Sequence, residues 1–292
     1  MIYVKLKGGM GNQMFQYALG RQLAHQLGTD FSMDLTNLLD RDKGEDFVYR
    51  DYDLSIFNVK EQFLFAPGWQ RTVYGWKLPK TGKLLRKLAR KGKRYVREAD
   101  FHFQPGILAD AQDNSLYEGW FQSPKYFAGI EEQLRDDFRF QDAIIPESKE
   151  LEQRILSTNS VCLNVRRTDF LKVDVLNATN LDYFLRGAAY MAERVENPHF
   201  FIFSDDVEWC RENIKLDHPV AVVDHGHKGR RFGNYLQLMS LCKHFIIPNS
   251  SFAWWAAWMN TDPGKMVVAP KMWFTDVEID TSDLVPEKWV RM

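Results

Sequence analysis

From Leu151 onward, short apolar runs alternate with amphipathic stretches, and this alternation restricts the chain to few architectures. Val161 to Val165, His199 to Phe203, Val220 to Val223, Phe245 to Ile247 and Met266 to Ala269 read as strands. Between them, Leu151 to Leu156, then Phe184, Ala188, Met191 and Val195, then Val207 to Asn213, then Tyr235, Leu238, Met239 and Cys242, and then Trp254, Trp255 and Trp258 recur at helical spacing. Strands separated by helices predict a parallel sheet covered on both faces. The polar stretch Gln141 to Ser148, with Pro146, reads as a linker. It divides the chain into an N-terminal domain, 1–148, and a C-terminal domain, 149–292.

Three predicted strand ends carry polar chemistry. The first is Asn164-Val165-Arg166-Arg167-Thr168-Asp169, the second Ser204-Asp205-Asp206, the third Asn249-Ser250-Ser251-Phe252. In open α/β sheets ligands sit at the carboxyl ends of strands. Arginine offers a permanently charged planar fork that matches phosphate oxygens. Ser250 and Ser251 open a helix whose N-terminus attracts anions, although simple capping is the competing role. Together they predict a diphosphate site. Asp205-Asp206 invites a metal, but no third ligand is evident and the arginines already supply positive charge.

In the first half, Ile2 to Leu6 reads as a strand. A glycine-rich turn, Gly8-Gly9-Met10-Gly11-Asn12, leads into a helix with Phe15, Leu19, Leu23 and Leu27 on one face. Such a turn lets backbone N–H groups approach a ligand. A dinucleotide fingerprint fails, because its third glycine position holds Met14. Phe31 to Met33 reads as a second strand, residues 35–75 as irregular and aromatic-rich, and Phe127 to Phe138 as a helix. Lys77 to Arg97 carries ten basic residues and no acid. It reads as a basic amphipathic helix, either a solvated face or a contact for an anionic membrane.

Composition narrows the function classes. A net charge of −1 gives no global case for nucleic acid. Aromatics reach 14%, with nine Trp, which serve sugar sites or simply the core. The three cysteines lack metal spacing and read as reduced, buried thiols. No signal-peptide core and no apolar run of about 18 residues is evident, so the expectation is a cytoplasmic protein, peripheral at most to the inner membrane face.

Gly8-Gly9-Met10-Gly11-Asn12-Gln13-Met14-Phe15-Gln16-Tyr17-Ala18, Arg166-Arg167-Thr168-Asp169, Phe203-Ser204-Asp205-Asp206 and Asn249-Ser250-Ser251-Phe252-Ala253-Trp254-Trp255 closely resemble motifs of the bacterial α-1,2-fucosyltransferases of glycosyltransferase family 11. They occur in family order. The resemblance implies an α/β, GT-B-like fold of two Rossmann-like domains facing a cleft. It also implies GDP-fucose as donor, a galactose hydroxyl of a glycan as acceptor, inversion at the sugar carbon and no metal. On this reading Arg166 steadies the leaving diphosphate. Gly9, Gly11, Asn12, Asn164, Arg167, Asp205, Ser250, Ser251 and Phe252 hold the donor. Asp169 is the candidate base, or else a partner that orients an arginine. Two positions depart from the family pattern: Asn164 stands where a His is usual, and Tyr235 where an acid is usual; both concern guanine contacts. The alternatives are another linkage or GDP-sugar, and a non-catalytic binding protein on the same fold.

Overall fold

The computed structural model describes residues 1–40, 48–64, 87, 90–168, 170, 173–276 and 278–292. The chain forms two compact units, residues 1–139 with 282–284, and residues 140–281 with 285–292.

In the first unit, strand β1 (Ile2–Lys5) turns through the glycines into helix α1 (Met10–Leu27), which returns the chain to β2 (Phe31–Asp34). Strands β3 (Arg94–Arg97) and β4 (Ser115–Glu118) complete a four-stranded parallel sheet of order β2-β1-β4-β3. Phe15, Leu19 and Leu23 of α1 are fully buried, each stabilising the fold by roughly 1.5–3 kcal/mol through apolar burial. The helix lies against the sheet at Gly20, where an added Cβ would sit 2.6 Å from the Phe31 ring and 2.9 Å from Val4. A single methyl there would push α1 off the sheet.

Two expected helices are corrected here. Arg94–Arg97 is a strand, because its backbone pairs with β4 (Arg94↔Ser115 to Arg97↔Glu118) and tertiary pairing overrides the helical spacing. The rest of the basic stretch lies largely outside the described residues, namely 77–86, 88 and 89. The helix expected over Phe127 to Phe138 begins only at Glu131 and ends at Asp137. Gly129, at φ +98°, separates it from a 3-10 turn at Pro124–Phe127.

The second unit follows the predicted alternation. Helix α2 (Lys149–Ser157) leads to β5 (Asn159–Val165), then come α3 (Leu181–Ala192), β6 (Pro198–Ser204), α4 (Val207–Asn213), β7 (Val220–Val223), α5 (Gly233–Ser240), β8 (His244–Ile246), α6 (Ser251–Met259), β9 (Val267–Ala269) and β10 (Val290–Arg291). All six strands are parallel, in the order β7-β6-β5-β8-β9-β10. Counted within the unit this is 3-2-1-4-5-6, the doubly wound order whose direction reverses between β5 and β8. Val161, Leu163 and Val165 pack with Tyr183, Phe184, Ala188 and Met191 of α3 in one buried cluster. Trp254 and Trp255 of α6 are fully buried, edge to face at 5.0 Å and 75°. Much of the tryptophan content is therefore core material.

The units divide between Arg139 and Phe140, earlier than residue 148, because the expected linker packs on the second unit. Ile145 N–H donates to Asn234 Oδ1 (3.1 Å), and Ser148 Oγ accepts from Asn234 Nδ2 (2.9 Å). Near the other end of the chain, residues 282–284 belong to the first unit. There the Asp283 carboxylate accepts from Phe103 N–H (3.1 Å) and pairs with His102 (3.0 Å) and Lys125.

Candidate active site

The carboxyl ends of β5 and β8 meet at the reversal point of the second sheet. Leu163↔Ile246 is the last registered pair, and Arg166 and Asn249 each follow three residues later. The two arginines are held from β6. Arg166 Nη1 lies 3.3 Å from Asp205 Oδ2, and Arg167 Nε 3.2 Å from Asp206 Oδ2. Asp205 also accepts the backbone N–H groups of Arg167 (3.0 Å) and Thr168 (3.2 Å), together with the Thr168 hydroxyl. Asp206 caps α4 by accepting from Trp209 N–H (3.2 Å), and its own N–H donates to Ser204 Oγ (2.9 Å). Rings support both guanidiniums: Arg167 lies 3.7 Å from the Trp209 centroid, Arg166 5.5 Å from that of Phe170. The paired carboxylates thus serve as arginine holders, their oxygens taken by side-chain and backbone donors. Arg166 and Arg167 keep 29% and 24% of their side chains exposed.

Across the reversal point, Asn249 Nδ2 donates to the carbonyls of Leu176 (2.8 Å) and Trp273 (2.9 Å), fixing the loop that opens α6. Its Oδ1 is buried without a partner among the described residues. Ser250 occupies the N-cap position, yet its hydroxyl makes no capping bond. It is buried, and only its carbonyl joins the helix, accepting from Trp254 N–H (2.9 Å). Simple capping therefore does not account for Ser250. Ser251 and Phe252, both half-buried, form the first turn of α6. A nine-residue helix with no acidic residue in its first turn presents a positive dipole end.

Asn164 and Tyr235, the two departures from the family pattern, both bond to strands of the second sheet. Asn164 is buried and its Nδ2 donates to Phe203 O (3.0 Å), tying β5 to β6. Tyr235 is buried beneath the β7–α5 connection, with its hydroxyl donating to Val223 O (2.9 Å), and burial raises its pKa. Asp224 accepts from Gly226 N–H (2.8 Å) and caps the turn His225–His227. In the same connection Arg231 and Phe232 are consecutive left-handed residues, at φ 52° and 60°. Asp169 lies outside the described residues.

Gly9, Gly11 and Asn12 lie in the first unit, at the turn from β1 into α1. Gly9 is the N-cap of α1 and Gly11 is buried in its first turn. Asn12 Oδ1 accepts from Gln122 Nε2 (2.6 Å). Two glutamines that sequence reasoning passed over hold this turn. Gln16 accepts from Lys7 N–H (2.9 Å) and donates to the carbonyls of Lys7 (3.2 Å) and Gly119 (3.1 Å), joining the exits of β1 and β4. Gln13 donates to the Gly8 (3.0 Å) and Asp51 (2.8 Å) carbonyls and accepts from Asp53 N–H (2.9 Å). Both are fully buried. Two glutamines among the apolar residues Met14, Phe15, Tyr17, Ala18 and Leu19 of α1 were the available signal.

The two parallel α/β units are of the GT-B type, and the second carries paired arginines at the reversal point of a six-stranded sheet. The chain belongs to glycosyl transferase family 11, whose profile matches residues 93–292. It is 30% identical to an alpha-1,2-colitosyltransferase of Escherichia coli over 300 residues, covering 100% of this chain and 99% of that protein. It is 27% identical to galactoside alpha-(1,2)-fucosyltransferase 1 of Saimiri boliviensis boliviensis over 146 residues, 46% of this chain and 40% of the relative. Among solved structures, a mutant of Arabidopsis thaliana FUT1 in complex with GDP aligns with a TM-score of 0.51 at 11% identity, covering 92% of this chain and 69% of that one; the likeness is one of fold. Among the described residues no helix is long and apolar enough to cross a membrane.

Proposed function

We propose that the protein transfers L-fucose from GDP-fucose to a galactose hydroxyl of a glycan, forming an α-1,2 linkage with inversion and without a metal. The observation that carries this reading is the pair Arg166 and Arg167, aimed by Asp205 and Asp206 at the strand end that neighbours Ser250 and α6. An acceptor hydroxyl attacks the sugar C1 while GDP leaves from the opposite face. Negative charge grows on the β-phosphate as that bond breaks. Arg166 and the N–H groups of α6 meet it from fixed positions, and donors of this kind are each worth about 10²–10³ in rate. A base takes the hydroxyl proton, and Asp169, close after the arginines in the chain, is assigned that role. Names of relatives support the linkage: one is an alpha-1,2-colitosyltransferase, another a galactoside alpha-(1,2)-fucosyltransferase.

Calorimetry with GDP in chelator tests the donor half, with unchanged affinity expected; loss of binding on chelation sinks the metal-free reading. Linkage analysis of the product tests the other half. A second reading has the full-length likeness to a colitosyltransferase behind it. Colitose is fucose without its 3-hydroxyl, so competition between GDP-fucose and GDP-colitose decides between two donors that differ by one oxygen.

A further inference from the structure

The exits of β1 and β4 in the first unit gather a second set of groups. Trp120, half-buried, lies parallel to Phe101 within 9°, their centroids 6.4 Å apart. Lys7 Nζ sits 4.0 Å from the centroid of the Trp120 ring and makes no hydrogen bond or ion pair among the described residues. Gln122 is buried; its Nε2 is held by Asn12 at 2.6 Å, while its Oε1 is buried without a partner among the described residues. Gly8 makes this assembly possible: a Cβ there would meet Asn12 Nδ2 at 2.5 Å and Trp120 Cζ3 at 3.0 Å, and its φ of +77° suits glycine.

The position of Trp120 is built with care. Glu98, buried, accepts the N–H groups of Trp120 (2.5 Å) and Phe121 (3.0 Å), holding Phe121 in a left-handed conformation at φ 53°. Gly119 is required there as well, since its Cβ would lie 2.5 Å from that of Glu98. Burial lowers the Lys7 pKa, and the carboxylates of Glu118 and Glu98 act on it against Lys5 and Arg97. With opposite charges offset around the ammonium, the edge is suited to a neutral polar ligand more than to an anion. A flat aromatic face, a side-chain amide and an ammonium with unfilled hydrogen-bonding capacity match one chemistry: a pyranose, whose C–H face is apolar and whose rim is hydroxyl.

We propose that Trp120, with Gln122 and Lys7, forms a subsite that binds a neutral hexopyranose of the acceptor glycan, with Glu98 positioning Trp120 and Asn12 positioning Gln122. It rests on the transferase reading above, in that the sugar it takes is the acceptor's. Saturation-transfer NMR on the full chain with lactose, maltose and N,N′-diacetylchitobiose tests it. Transfer to at least one disaccharide is expected. Trp120→Ala should weaken its binding by about tenfold, the scale of one stacked ring, with the GDP affinity unaltered. Absence of transfer to all three disaccharides, or equal signals in the unsubstituted protein and Trp120→Ala, overturns the proposal. Should Trp120→Ala lose its near-ultraviolet circular dichroism, Lys7→Met carries the test, with a several-fold loss expected and an unaltered signal counting against it. Failure of the donor reading is separable: it shows as absent GDP binding, while the disaccharide signals stand on their own.

Discussion

The two sheets end in opposite electrostatic arrangements. On the first, Lys5 lies 2.8 Å from Glu118, and Lys7 faces Glu98 and Glu118, so cations and carboxylates are matched beside an aromatic ring. On the second, Asp205 and Asp206 face Arg166 and Arg167, but the carboxylates sit behind the guanidiniums, tied to backbone N–H groups and the α4 cap, and the forks stay partly exposed near a helix N-terminus. Equal numbers of charges are thus matched beside an aromatic ring in one place and set near a helix N-terminus in the other. On both edges a carboxylate is fixed to backbone N–H groups, Glu98 to Trp120 and Phe121 and Asp205 to Arg167 and Thr168; what differs is that Lys5 is buried in its ion pair while the guanidiniums stay partly exposed.

The largest effect should come from the second edge. Arg166→Ala is expected to lower transfer by at least about 10²–10³. Arg166→Lys should recover only part, since a point charge cannot reproduce a bidentate fork; near-normal turnover of the lysine variant would remove the phosphate clamp. Asp205→Asn probes the holder: GDP affinity should drop by about tenfold, the worth of a charged hydrogen bond, through mis-aimed arginines. An unaltered affinity would show that the arginines need no aiming. On the first edge, Gln16→Leu abandons the backbone groups of Lys7 and Gly119, at about 1–3 kcal/mol for each buried group left unpaired, and denaturant unfolding should record it as lost stability. The pH response separates the edges further. The lowered pKa of Lys7 means that the folded chain binds fewer protons than the unfolded chain between that pKa and 10.5. Its contribution to stability therefore rises with pH across that window. Lys7→Met should flatten this rise below pH 10.5 in urea midpoints, whereas arginines do not titrate there. Smallest is the membrane contact proposed for Lys77 to Arg97, of which Arg90, Lys91, Arg94 and Arg97 are exposed. Sedimentation with anionic vesicles should fall as salt rises, and no sedimentation at low salt removes it.

Much of the second unit was legible because its central strands are apolar runs buried on both faces and its helices repeat their apolar residues at helical spacing, as in Val161 to Val165 and Phe184, Ala188 and Met191. The arginines and the Ser250 turn were legible for the same reason, since strand ends in a parallel sheet share one edge. What stayed hidden depends on partners far away in the chain. Arg94–Arg97 is a strand only because β4 lies beside it. The partners of Asp205 are likewise distant, since its oxygens meet Arg167 and Thr168 beyond the neighbouring strand. Gln13 and Gln16 look like polar interruptions of an apolar helix, and Trp120 looks like core until its neighbours are known.

Asp283 bears on synthesis. Domains generally fold in the order in which they leave the ribosome, yet the first unit takes in residues 282–284, made after nearly all of the second. Phe103 N–H, His102 and Lys125 have to wait for that carboxylate. A nascent chain halted before it would carry an N-terminal unit still short of a clamp, and a C-terminal deletion reaching Asp283 would injure the half of the protein that was translated first.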